Sequence, residues 1–337
     1  MAEALLYKKL ENKIVQCNVC FHRCKIALQK RGICGVRENR NGKLFLLVYG
    51  KAIAEHLDPI EKKPFFHFLP GTHSLSIATV GCNFRCKNCQ NWDISQGPKL
   101  NREIQGFELS PEKIVEEALR QNAQSISYTY TEPTIFMEYA LDTMKLAKEK
   151  GLKNNWVTNG FMTKETLELI TPYLDAANVD LKSFSDKFYR DICGGRLKPI
   201  LENLKYMKDK GIWVEITTLV IPTLNDTKKN FVDIADFIKN ELGTEVPWHI
   251  SRFSPEISWK LQDLPSTPEE TIHQAREIGI KKGLKYVYSG NLFGDNGENT
   301  YCPKCRKLAI LRTGFAIQRF DDNGKCKECG ESLDLIL

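Results

Sequence analysis

The chain has 337 residues, 42% of them hydrophobic, and a formal net charge of +6. That length supports one large core with smaller additions. No apolar run reaches about 18 residues, which excludes a membrane-spanning helix at the sequence level. Lysine and glutamate are interleaved rather than blocked, so the excess charge predicts a solvated surface rather than a nucleic-acid face. The opening stretch Met1–Lys13 lacks the apolar core of a signal peptide, and the expectation is a cytoplasmic protein.

The predicted elements follow a strand-then-helix rhythm. A buried strand over Leu75–Val80 leads into a cysteine loop. Ser110-Pro111-Glu112 reads as a helix start, with an N-cap and proline at the first helical position. Strands are predicted at Ser125–Tyr130, Asn155–Thr158, Ala177–Lys182, Ile212–Ile221, Trp248–Phe253 and Lys285–Ser289. Helices are predicted at Thr134–Lys150, Thr163–Ile170, Asp186–Ile192, Pro199–Lys210, Asp226–Leu242 and Thr267–Lys282. Three of these helices end alike, in Lys150-Gly151-Leu152, Lys210-Gly211-Ile212 and Lys282-Gly283-Leu284. Lysine suits the negative end of the helix dipole and glycine the left-handed position after it.

Repeated βα units make a parallel sheet. Their number fits an α/β fold built as a partial (β/α)6 TIM-like barrel, spanning residues 73–298. Its active face is then at the strand C-terminal ends. Residues 1–72 fall outside the rhythm and form a Cys-rich extension. Its Pro59–Gly71 stretch, with two further prolines and three phenylalanines, predicts an extended segment pinned against the core. Residues 299–337 form a small appended module, expected to be zinc-ribbon or rubredoxin-like.

Twelve cysteines in such a chain point to metal rather than disulfides. All but Cys193 fall in three tight groups. Cys82, Cys86 and Cys89 are spaced C-x3-C-x2-C directly after the first core strand. Three thiolates can hold three corners of a cubane iron–sulfur cluster and leave the fourth iron open for chemistry; a zinc site would want a fourth ligand. Cys302, Cys305, Cys326 and Cys329 form a C-x2-C-x20-C-x2-C knuckle pair for zinc or iron. Cys17, Cys20, Cys24 and Cys34 are spaced C-x2-C-x3-C-x9-C and leave zinc, a second cluster or plain buried thiols open. Cys193, in Asp191-Ile192-Cys193-Gly194-Gly195, reads as a buried cysteine.

The run Cys82-Asn83-Phe84-Arg85-Cys86-Lys87-Asn88-Cys89-Gln90-Asn91-Trp92 resembles the cluster loop of the radical S-adenosylmethionine superfamily. Asn88 stands where that family has an aromatic residue. Thr131-Glu132-Pro133, Thr158-Asn159-Gly160, Val179-Asp180-Leu181-Lys182, Val220–Asp226 and His249-Ile250-Ser251-Arg252-Phe253-Ser254-Pro255 resemble its further strand-end motifs. The resemblance implies a [4Fe-4S] cluster on Cys82, Cys86 and Cys89. It also implies S-adenosylmethionine contacts from Thr131, Glu132, Asn159, Asp180, Lys182 and His249. The implied reaction is reductive cleavage of S-adenosylmethionine to methionine and a 5′-deoxyadenosyl radical, which takes a hydrogen atom from a substrate. A reductant such as ferredoxin or flavodoxin is implied as electron donor.

The segments Cys17–Cys24 and Gly32–Asn39, with Glu61-Lys62-Lys63-Pro64, further resemble the AmmeMemoRadiSam-system radical enzymes. That likeness implies an association with Memo-like and Ammecr-like proteins. A glycyl-radical-enzyme activase acting on a partner protein is the alternative enzyme. A metal-stabilised nucleic-acid-binding or scaffold protein is the alternative of a different class.

Overall fold

The structure is a computed structural model and describes residues 1–101 and 103–337. Its centre is one sheet whose strands are β1 Ala54–Pro59, β2 His73–Ala78, β3 Ser125–Tyr128, β4 Lys153–Thr158, β5 Ala176–Asp180, β6 Trp213–Val220, β7 Trp248–Arg252 and β8 Val287–Gly290. They lie side by side in chain order, from β8 at one edge to β1 at the other. β2 to β8 run parallel, and β1 pairs antiparallel with β2. Among the described residues no ladder joins β8 to β1, so the sheet is open. It holds seven parallel strands; the seventh, Val287–Gly290, is the strand expected at Lys285–Ser289 and brings the series to one more than a (β/α)6 count.

The longer helices are α1 Trp92–Leu100, α2 Pro111–Arg120, α3 Met137–Glu149, α4 Lys164–Ile170, α5 Lys198–Asp209, α6 Lys228–Phe237 and α7 Glu269–Lys281, and a short one at Asp186–Phe188 begins the helix expected at Asp186–Ile192. Ser110, Thr163 and Thr227 cap α2, α4 and α6 by accepting a backbone N–H three residues on. The three Lys-Gly ends share one geometry. Gly151, Gly211 and Gly283 all have positive φ. Leu152, Ile212 and Leu284 each donate a backbone N–H to the carbonyl five residues back and are buried. This is the Schellman end, closed by an apolar residue that enters the next strand.

Antiparallel ribbons flank the sheet on both sides in sequence. Tyr7–Lys9, Val15–Cys17 and Lys25–Ile26 form one, and Ala2–Glu3, Lys43–Leu46 and Arg37–Arg40 another. They dock through a buried ion pair between Arg37 and Glu138 on α3, and through a bridge from Cys20 to Met162. At the other end Thr300–Tyr301, Leu308–Thr313 and Ala316–Arg319 form a small sheet. None of the described helices is long and apolar enough to cross a membrane.

The Phe65–Phe68 segment is pinned as expected, and the structure shows how. The Glu215 carboxylate on β6 accepts the backbone N–H groups of Phe66, His67 and Phe68 at 3.0, 2.9 and 3.2 Å. Asn178 Nδ2 donates to the Pro64 carbonyl at 2.8 Å.

Candidate active site

A cavity of about 930 Å³ opens at the strand C-terminal ends. Every strand from β2 to β8, or the loop after it, contributes to its wall. Seven flat strands would span about 29 Å at ~4.8 Å each, so strand ends that line one cavity must curve around it. Cys82, Cys86 and Cys89 lie in this wall with Thr131, Glu132, Asn159, Asp180, Lys182 and His249. All nine sequence-selected residues of the central site therefore meet.

The cysteine loop is held from two sides. α1, which follows it immediately, bends back over it. Ser95 Oγ lies 3.4 Å from Cys89 Sγ, and Gln96 and Lys99 donate to the Phe84 carbonyl at 3.2 and 2.6 Å. From the other side, Arg85 and Lys87 donate backbone N–H groups to the carbonyls of Cys193 and Ile192 at 2.8 and 3.0 Å. Gly195 packs so closely on Phe84 that a Cβ there would come within 2.3 Å of its ring. Cys193 is fully buried, and its thiol shares a hydrogen bond with Cys86.

This hydrogen bond and then burial push the Cys86 thiol well up; burial chiefly raises Cys82 and Cys89. Such thiols become thiolates when a cation is present to balance them. Three convergent sulfurs, with a backbone N–H on Cys82 Sγ at 3.3 Å, suit a cluster with three protein ligands.

The strand-end polar groups fall into three sets. The buried Glu132 carboxylate accepts from Thr134 N and Oγ1, Thr158 Oγ1 and Asn159 N. It ties β3 to β4, and burial raises its pKa. Asn159 in turn donates Nδ2 to Asn83 Oδ1 at 2.7 Å, joining the β4 end to the cysteine loop. Asp180 and Lys182 pair at 2.8 Å across the cavity wall. Burial opposes the Lys182 charge, but Asp180 and the Cys86 and Cys193 thiols outweigh it and hold the ammonium well above its ordinary pKa. His249 is buried, with Nε2 at 2.7 Å from Glu215 and its ring against Phe66 and Tyr288.

The turn Ile221–Asp226 behaves differently. Asn225 closes it by accepting from Ile221 N and donating to the Lys182 and Leu219 carbonyls. Among the described residues the β6 strand itself, through Thr217 and Leu219, lines the cavity rather than this turn. Arg252 likewise turns away and donates Nε to the Thr267 carbonyl.

Sequence reasoning did not select Asn83, Ser95, Lys99 or Lys63. Lys63 is buried in the cavity wall, 2.6 Å from Asp58, with its ammonium over the Tyr130 ring. Burial pulls its pKa down to about 8. Three oxygens and a nitrogen in this region have no hydrogen-bond partner although buried: Asn88 Oδ1, Glu61 Oε2, Glu298 Oε2 and Asn83 Nδ2.

The Cys302, Cys305, Cys326 and Cys329 sulfurs converge within 4.8 Å of one another. Cys302–Cys329 and Cys305–Cys326 are 3.6 and 3.5 Å apart. A tetrahedral ion with metal–sulfur bonds of ~2.3 Å requires about 3.8 Å between sulfurs, so these four could hold a single metal ion. Its module reaches the cavity through Thr313, Gly314 and Phe315.

The parallel sheet carries three cysteines at its mouth, and residues 76–238 match the Radical SAM superfamily. The chain belongs to this superfamily and is an enzyme of it. It is 47% identical to the uncharacterized protein MJ0808 of Methanocaldococcus jannaschii, with both chains covered completely. It is 27% identical to the pyruvate formate-lyase-activating enzyme of Clostridium pasteurianum, over 60% of this chain and 87% of that one. The fold is shared with Streptococcus suis SuiB bound to S-adenosylmethionine, with a TM-score of 0.50 and 14% identity over 65% of this chain and 51% of that one.

Proposed function

We propose that Cys82, Cys86 and Cys89 hold a [4Fe-4S] cluster, that S-adenosylmethionine binds beside it, and that the enzyme abstracts a hydrogen atom from a substrate carbon. The observation that carries this reading is the convergence of three thiols and six strand-end polar residues on one cavity. Bound there, the cluster and S-adenosylmethionine supply a one-electron reductive bond cleavage and a carbon radical. Superfamily membership supports both groups.

The chain's own residues position and shield. Thr131 and Asn159 offer short polar groups toward the cofactor's amino acid portion, while Glu132 fixes the two strand ends that carry them. Lys182 offers a buried cation for a carboxylate, and Asp180 keeps that ammonium charged. His249 closes the cavity floor beside Phe66. Asn88 brings a buried amide oxygen without a partner to the loop before Cys89. The curved, open sheet is taken as a partial TIM-like barrel over 73–298, with modules at 1–72 and 299–337.

The C-terminal four-cysteine site is assigned zinc, held by four thiolates, with iron as the alternative to be decided by metal analysis. A low-potential flavodoxin or ferredoxin is the proposed electron donor. Memo-like and Ammecr-like partners rest on the N-terminal motif resemblance alone. Twelve free cysteines suit a reducing, cytoplasmic setting.

A second reading, a glycyl-radical-enzyme activase, is favoured by two exposed aromatic residues at the cavity mouth. Phe293 is 87% exposed and Phe315 53%, and both line the cavity. Such a rim suits a polypeptide substrate. The test of the cofactor site is the electron paramagnetic resonance signal of the reduced protein with and without S-adenosylmethionine. The signal should shift on binding, and Lys182→Ala should weaken binding by about tenfold or more, the loss of one charge-assisted hydrogen bond. No shift in a protein carrying its full iron would contradict the reading.

A further inference from the structure

The three cysteine groups divide by geometry. Among the described residues only the C-terminal four bring their sulfurs within 4.8 Å of one another. No three of Cys17, Cys20, Cys24 and Cys34 do so, and neither do Cys82, Cys86 and Cys89. The N-terminal four nevertheless enclose a single cavity, closed by aliphatic side chains such as Ile26 and Ile135. A zinc ion would draw its thiolates to about 3.8 Å of each other, as at the C-terminal site. The N-terminal sulfurs line one cavity without being gathered as those of the C-terminal site are.

The surroundings suit an anionic cluster. Arg37, buried and paired with the Glu138 carboxylate, lines the same cavity. Burial lowers the Lys99 pKa, and the thiols of both groups, Cys82, Cys34, Cys86 and Cys89, act against that as charges would. The two groups are also neighbours. Gly81, the residue before Cys82, packs on Cys34, and a Cβ on it would lie 2.9 Å from the Cys34 carbonyl oxygen. His22 Nε2, from between Cys20 and Cys24, lies 2.9 Å from the Asn83 carbonyl oxygen.

We propose that Cys17, Cys20, Cys24 and Cys34 hold a second iron–sulfur cluster, which relays single electrons to the cluster on Cys82, Cys86 and Cys89. The proposal rests on the reading of the central site. A reduced flavodoxin- or ferredoxin-class carrier gives up one electron and is itself oxidised. The N-terminal cluster accepts that electron and passes it on, with no bond made or broken in the protein.

The test is anaerobic reconstitution of the full chain with iron and sulfide, then metal and sulfide analysis and electron paramagnetic resonance after dithionite reduction. Wild type should bind roughly eight irons, two cubanes, and show two magnetically interacting signals. Cys82→Ala/Cys86→Ala/Cys89→Ala should retain about half of that iron and a single signal indifferent to S-adenosylmethionine. Cys17→Ser/Cys20→Ser should also lose about half, yet keep the signal that responds to S-adenosylmethionine. Roughly four irons in wild type, or zinc without iron in the triple-alanine chain, would overturn the second cluster. A triple-alanine chain that keeps its iron, beside a wild type that ignores S-adenosylmethionine, would fault the central-site reading and leave this one standing.

Discussion

Glu215 receives five donors: the backbone N–H groups of Phe66, His67 and Phe68, Trp213 Nε1 at 3.0 Å, and the His249 ring. Burial opposes its charge, but His249 and these donors hold its pKa below the ordinary value. Glu215→Ala leaves several buried donors without an acceptor, and each costs about 1–3 kcal/mol. Denaturant unfolding should show at least ~3 kcal/mol of lost stability, with Glu215→Gln milder. Glu298 behaves oppositely. Burial, then Asp295, raise its pKa from 4.5 to about 7. The folded chain therefore holds a proton there that the unfolded chain has released. The associated stability is fully present below pH 4.5 and is lost as pH rises through about 7. Glu298→Gln should flatten that part of the melting-temperature profile and melt higher than wild type above pH 7. Glu215 was not legible in the sequence, because Phe66, His67, Phe68 and His249 lie far from it in the chain; Glu298 was not, because its burial comes from packing that no local spacing marks.

At the scale of elements, local rules were the readable ones. The three Lys-Gly helix ends and the Ser110 cap were legible because each is settled within six residues. The strand-end motifs were legible because they follow apolar runs. α1 was not, since Gly97 and Pro98 disguise a helix whose use is to bring Ser95, Gln96 and Lys99 over the cysteine loop. The service of Cys193-Gly194-Gly195 to that loop was hidden too, since its partners lie more than a hundred residues earlier. Gly195→Ala places a methyl into the Phe84 ring. Overpacking of this kind costs about 1–3 kcal/mol. Thermal unfolding should register it, and iron analysis should show a several-fold drop in what the Cys82 loop retains.

Over the whole molecule, the two cysteine-rich ends grip the central sheet at different places. The N-terminal ribbons hold α3 through Arg37–Glu138 and reach the cysteine loop through His22. The C-terminal module lays Arg312 over Phe66 at 4.0 Å and donates to its carbonyl, and Ile336 pairs with the His67–Leu69 backbone. Through Phe66 it bears on His249 and the cavity floor. On the zinc assignment proposed for the C-terminal group, Cys302→Ser/Cys326→Ser should lower zinc content by one equivalent per chain and make the tail protease-sensitive, while the sheet still melts as one unit. The claim on which the rest depends is that the Cys82 loop holds a cluster able to cleave S-adenosylmethionine. Its most direct measurement is the yield of 5′-deoxyadenosine and methionine from the reconstituted, reduced full chain, beside Cys86→Ala. The account predicts equal amounts of both products from wild type and none from Cys86→Ala. A chain that carries its central cluster, binds S-adenosylmethionine and yields no 5′-deoxyadenosine would contradict it.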